Sequence, residues 1–217
     1  MDVRERDAAQ PVAPYRGIEA RLATNPLCIA FPGGDARPAT VVDFATSAVA
    51  MGKVRVAALD GRALPAGAVI DAAGGRTTDP MVMLSEPRGA LLPAGGHKGY
   101  GLMLAGELLA GILAGGGTIQ PGHERRGSFI NGLLAFVIDP ARFADPVWLR
   151  GEVDAVVDYV LSSRPRDPAE PVLQPGDPER TALAQRAAEG VPFDDAAWRQ
   201  LLACGEHVGV DVAAAVS

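Results

Sequence analysis

The residues with the strongest claim to chemistry are Gly95-Gly96-His97-Lys98-Gly99-Tyr100-Gly101, a glycine-rich turn that opens an apolar helical pattern. Backbone N–H groups at a helix N-terminus attract anions, and glycine lets a phosphate or carboxylate approach the backbone closely. Lys98 would add a point charge. A tight loop with a solvated lysine is the equally weighted alternative. The spacing matches neither the P-loop nor the dinucleotide GxGxxG pattern. A second group is Asp43-Phe44-Ala45-Thr46-Ser47, followed by Gly52-Lys53. A carboxylate and two hydroxyls at a strand end suit ribose or phosphate hydrogen bonds. Taken alone, an ordinary helix N-cap by Thr46 or Ser47 explains them better.

Other reactive residue types form no constellation. The three histidines, His97, His123 and His207, have no metal-ligand spacing, so no metal is expected. His97 beside Lys98 could serve acid–base chemistry, but structural hydrogen bonding is the simpler reading. Asp71 and Asp79 read as turn formers. Cys28 lies in an apolar run and reads as a core residue; Trp148 and Trp198 read as packing residues. No GxSxG nucleophile pattern occurs.

These residues need elements to hold them. Leu27–Phe31 reads as a buried strand ending at Pro32-Gly33-Gly34, and Ala39–Phe44 as a second strand that leads into a helix through Met51. Residues up to about Ala23 read as loop, punctuated by Pro11, Pro14 and Gly17. Val69–Asp71 is a short extended piece. The apolar stretch Gly99–Ile119, interrupted by Glu107 and closed by Gly115-Gly116-Gly117, reads as a buried helix rather than a membrane span. Leu133–Ile138 reads as another buried strand. Helical spacing then covers Val147–Ser162, a Pro-rich linker covers Pro165–Pro178, and two helices follow at Arg180–Glu189 and Asp195–Val208. Residues 13–139 are therefore expected to form an α/β domain and 140–217 a mainly helical region.

Composition bounds the function. Hydrophobic residues are 48% and charged residues 21% of 217, as in a folded globular protein. Twenty Lys+Arg against 26 Asp+Glu give a formal charge of −6, which removes the composition argument for nucleic acid or an anionic membrane. Two cysteines, Cys28 and Cys204, make no disulfide framework and fit a reduced, cytoplasmic compartment. The polar stretch Met1–Gln10 does not read as a signal peptide.

Five motifs in order resemble the malate/L-lactate dehydrogenase-like family, which includes ureidoglycolate and sulfolactate dehydrogenases and cyclic imino-acid reductases. They are Thr24-Asn25-Pro26-Leu27; Asp43–Ser47 with Gly52-Lys53-Val54; Leu64-Pro65 before Asp71 with Thr77-Thr78-Asp79-Pro80; Leu92-Pro93 with Gly95–Leu102; and Pro175-Gly176 with its acidic residues. The resemblance runs from about Pro11 to Val210. It implies a non-Rossmann α/β cofactor domain with a mixed sheet, NAD or NADP as cofactor, and a small 2-hydroxy acid or its 2-oxo acid as substrate. It also implies a homo-oligomer with the site near the subunit interface.

Carried over by position, Asp43, Ala45, Thr46, Ser47, His97, Lys98, Pro175, Gly176, Asp177 and Glu179 match the family's cofactor-binding segments. Asp177-Pro178 departs from the simpler family pattern, and so does Arg16 before Gly17. The family's proton-transfer histidine and substrate-binding arginine belong to a portion that precedes the residues matched here, so no catalytic residue is assigned. The expectation is a chain lacking the N-terminal part of the family fold, with apolar faces such as Gly99–Ile119 exposed and prone to self-association. A catalytically inactive homologue that keeps dinucleotide or partner binding is the second reading. An interaction protein that binds no ligand is the third.

Overall fold

The computed structural model describes residues 11–122 and 131–215. Met1–Gln10 and His123 lie outside the described residues. The chain forms two compact units, Met1–Val156 and Val157–Ser217.

The first unit is built around short antiparallel strands. β1 (Leu27–Phe31) and β2 (Thr40–Phe44) pair with Leu27 opposite Phe44 and Phe31 opposite Thr40. β3 (Val69–Ile70) lies between β4 (Arg76–Thr77) and β5 (Ala90–Leu91), with Val69 opposite both Thr77 and Leu91. The only parallel pairing among the described residues is an isolated bridge from Val12 to Leu91.

That bridge corrects the loop reading of the opening segment. Val12 and Ala13 are fully buried, and Leu22 nearly so. The Leu91 N–H donates to the Pro11 carbonyl, and the Ala13 N–H to the Leu91 carbonyl. Pro11 and Pro14 lack an N–H, so the ladder cannot lengthen into a full strand, yet the segment lies in the core. Val12, Val54, Val69, Leu91 and Met103 form the centre of that core. Each buried side chain of this size stabilises the fold by roughly 1.5–3 kcal/mol.

Helix α1 (Met51–Leu59) starts later than the sequence suggests. Its N-cap is Ala50, with no side-chain cap. Thr46 and Ser47 are buried and hydrogen-bonded elsewhere, so they do not cap it. Helix α2 (His97–Gly106) follows the glycine turn and continues as π-helical turns over Glu107–Leu113. It buries Gly99 and Met103, but Leu102, Leu108, Leu109, Ile112 and Leu113 are exposed, so the buried-helix reading holds only for one side.

Two further apolar readings are corrected. β1 forms as expected, but among the described residues it pairs only with β2, and Ile29 and Phe31 remain exposed, as does Cys28. Residues 131–139 form no strand, and Val137 is 97% exposed. An apolar, β-branched run becomes a strand only where a neighbouring edge accepts its backbone.

Helix α3 (Pro146–Leu161) begins in the first unit. Its Arg150 pairs with Asp35 at 2.9 Å, and its Asp154 carboxylate accepts from the Ala36 N–H at 2.9 Å. Residues four apart share a helix face, so one face holds the β1–β2 loop at two points. The second unit contains α4 (Asp177–Glu189), α5 (Asp195–Val208) and α6 (Val212–Ala215). Asp194 caps α5 by accepting from the Ala197 N–H at 2.7 Å.

Candidate functional site

Three motifs meet in the first unit, and Thr46 joins them. Its side chain is fully buried at the end of β2. The Thr46 N–H donates to the Thr24 carbonyl at 2.9 Å. Its hydroxyl is shared between the carbonyls of Thr24 (2.9 Å) and Asn25 (3.0 Å). The Thr46 carbonyl accepts from the Ala94 N–H at 2.9 Å, and the Ala48 N–H donates to the Leu92 carbonyl at 2.8 Å. Ser47, also buried, lies opposite Pro93 and donates its hydroxyl to the Val49 carbonyl. The loop after β2 is thereby held between Thr24-Asn25 and Leu92–Ala94.

Ala94 leads directly into the glycine turn. Gly96, with φ 65° and ψ −120°, caps α2 without a side chain. That backbone region suits glycine and few other residues. Gly99 is needed for a different reason: a Cβ there would collide with the Ala94 carbonyl, which accepts the Gly99 N–H at 3.0 Å. The helix start is therefore clamped to the residue that opens the turn. His97 and Lys98 are exposed on its first turn.

Tyr15 packs edge-on to His97, with ring centroids 5.9 Å apart. The Arg16 guanidinium lies 5.3 Å above the Tyr15 ring. Arg16 has φ 70°, within the turn that the Gly17 N–H closes onto the Pro14 carbonyl. Tyr15, Arg16 and Asn25 were not singled out from the sequence as site residues. The Pro14-x-x-Gly17 punctuation and the Thr24-Asn25-Pro26 motif were the available signals.

The expected site residues thus divide by role. Asp43 is exposed on β2 opposite Cys28, and Ala45 is half-buried beside it. Thr46 and Ser47 hold the loop through hydroxyls already engaged with carbonyls, so they would act on a ligand by position. A Cβ on Gly95 would meet nothing within 4 Å, which leaves the backbone of the turn open to a ligand. An uncapped helix start, an open glycine backbone, an exposed lysine and a strand-end carboxylate suit the phosphates and sugars of a dinucleotide.

Pro175, Gly176, Asp177 and Glu179 lie in the second unit. Gly176, at φ 100°, precedes α4. The Asp177 carboxylate accepts from the Gln174 N–H at 2.9 Å and from Arg180 at 2.6 Å. Pro175 and Glu179 are exposed. Among the described residues, no group of three or more His, Cys, Asp or Glu could hold a metal ion. Among them too, no helix is long and apolar enough to cross a membrane.

The fold and this loop cluster define a small-sheet α/β chain with a backbone-lined site beside an acidic strand end. The family model for malate/L-lactate dehydrogenase matches residues 6–202, and the chain belongs to that family. An L-lactate dehydrogenase of Cupriavidus necator is 45% identical over 204 residues, which are 94% of this chain and 58% of that protein. Hydroxycarboxylate dehydrogenase B of Escherichia coli is 36% identical over 92% of this chain and 55% of its own length. The solved structure of sulfolactate dehydrogenase from Methanocaldococcus jannaschii superposes with a TM-score of 0.70 at 32% identity, over 93% of this chain and 57% of that one. The chain spans little more than half the length of these relatives.

Proposed function

We propose that this chain is an NAD- or NADP-dependent oxidoreductase chain that interconverts a small 2-hydroxy acid and its 2-oxo acid. The observation that carries the reading is the Thr46 junction, which brings Thr24-Asn25, Asp43–Ser47 and the His97-Lys98 turn together. A nicotinamide cofactor held at this junction would supply reversible hydride transfer to and from the carbinol carbon of the acid. In this reading the backbone of Gly95–Lys98 and the Lys98 ammonium hold phosphate, and Asp43 accepts from ribose hydroxyls. Thr46 and Ser47 fix the loop, and Ala45 borders it. Holding reactants in one geometry is itself a large part of such catalysis.

The family resemblance also assigns Pro175, Gly176, Asp177 and Glu179 to the cofactor. Within their own unit the Asp177 carboxylate shapes the loop, which leaves its backbone and Glu179 as the groups available to a ligand. The same reading takes 13–139 as the cofactor-binding part and 140–217 as the helical region of a cytoplasmic homo-oligomer. Two cysteines in 217 residues fit a reduced compartment.

The test is titration of the purified chain with NADH and NADPH by nicotinamide fluorescence, followed by turnover on a panel of 2-oxo acids. Binding of one cofactor with reduction of at least one acid is the expected result. No binding of either cofactor defeats the proposal. Binding without turnover favours the second reading, a catalytically inactive homologue that retains dinucleotide binding.

A further inference from the structure

Glu107 interrupts an apolar stretch, and its surroundings explain why. It is half-buried where α2 passes into π-helical turns. One carboxylate oxygen accepts from the Asn25 side-chain amide at 2.9 Å, and the other accepts from the Ile119 N–H. The same Asn25 amide donates to the Met103 carbonyl at 2.9 Å. Asn25 has φ 30°, a left-handed conformation that Asn tolerates better than most residues. A partly buried carboxylate holds its place only when hydrogen-bonded, and charge-assisted bonds of this kind are about twice as strong as neutral ones.

Helix α2 is therefore tied to one loop system at both of its ends. At its start, Ala94 bonds to Thr46. At its end, Glu107 and Met103 bond to the side chain of Asn25, whose carbonyl receives the Thr46 hydroxyl. The circuit runs Glu107, Asn25, Thr46, Ala94 and back along the helix. Its rigid side is three turns of α-helix, so a shift of Asn25 moves Thr46 relative to the glycine turn. Helices transmit displacement with little internal give, and misplacement of about 1 Å is enough to damage a binding geometry.

We propose that Glu107, acting through Asn25, is a positioning residue that sets the Asp43–Ser47 loop against the His97-Lys98 turn. The inference rests on the proposed function for its effect on cofactor binding, and on geometry alone for its effect on the loops.

The test uses the full chain with Glu107→Ala, Glu107→Gln, Asn25→Gly and the Glu107→Ala/Asn25→Gly double variant, all at a temperature well below their Tm. Hydrogen exchange without cofactor should rise in peptides covering 43–48 and 93–99 in Glu107→Ala. The NADH or NADPH Kd should rise roughly 10-fold or more. Glu107→Gln keeps one acceptor for two donors and should fall between wild type and Glu107→Ala. Asn25→Gly keeps the left-handed backbone, and the double variant should bind within about 2-fold of the weaker single variant, because both act on one link.

A merely structural glutamate would lower Tm and leave exchange in those two segments and the Kd unchanged, which overturns the proposal. Independent, multiplying effects of the two single variants also overturn it. If wild type binds neither cofactor, the proposed function fails instead. The exchange measurement then decides by itself whether Glu107 holds the two loops.

Discussion

Two loops in this chain place glycine before a helix, and they handle their polar groups in opposite ways. The turn before α2 is held from beneath, through Thr46, Ala94 and the close approach of Gly99 to Ala94. Its own side chains, His97 and Lys98, are left exposed. The turn before α4 engages its own carboxylate, with Asp177 bound to the Gln174 N–H and to Arg180. The first arrangement frees side chains and backbone for a ligand; the second engages its carboxylate in its own geometry. A glycine–helix motif in a sequence does not distinguish these cases. The difference lies in whether the turn's own side chains are engaged beside it or left exposed.

The largest break in this comparison comes from Gly99→Ala. The added methyl meets backbone on the Ala94 side, which cannot move without detaching the turn from Thr46. Overpacking against backbone costs about 2–3 kcal/mol. We expect Tm to fall by roughly 5–10 °C in differential scanning calorimetry, because 1 kcal/mol shifts Tm by about 2–4 °C at this chain length. Cofactor affinity should fall with it. A variant that melts like wild type would show that the turn is not clamped.

Thr46→Val is the next step down. It conserves shape and removes one hydroxyl, leaving the Asn25 carbonyl without this donor while the Thr46 N–H still serves Thr24. An unmet part-buried acceptor of this kind costs about 1 kcal/mol. Chemical denaturation should show that loss with an unchanged m-value. Exchange in peptides of 93–99 should rise, while peptides of 174–180 stay as in wild type. Equal change in both segments would contradict the separation of the two loops.

How much of this was readable beforehand depends on where each residue finds its support. The glycine turn that opens α2 and the helical pattern of α5 both followed from local sequence. The ordered motifs identified the family because they are contiguous and carry distinctive residues. Leu133–Ile138 misled because an apolar run has the composition of a strand whether or not an edge is there to receive it. Val12 and Leu22 were missed because prolines conceal a segment that lies in the core without forming a regular ladder. The role of Thr46 was misread for a similar reason: as a local N-cap it needs only its own helix, whereas its partners lie 21 and 22 positions away. Glu107 carried a usable signal. A lone carboxylate inside an apolar helix must find donors, and those donors mark a junction.

The smallest expected effect sharpens the second loop. Asp177→Ala removes the acceptor for the Gln174 N–H and one half of the ion pair with Arg180, both only partly buried. A lost turn hydrogen bond of this type costs about 1 kcal/mol, and a partly exposed ion pair adds little. The loss should be confined to the 174–180 peptides in hydrogen exchange. Adding salt should shrink the difference between variant and wild type, since only the ionic part is screened. The comparison with the first loop turns on cofactor affinity. If the Asp177 carboxylate serves its own turn, Asp177→Asn should retain most of the wild-type Kd, because the amide oxygen still accepts from Gln174. A loss of affinity in Asp177→Asn as large as that in Gly99→Ala would instead make the carboxylate a direct ligand contact, and the two loops would then work alike.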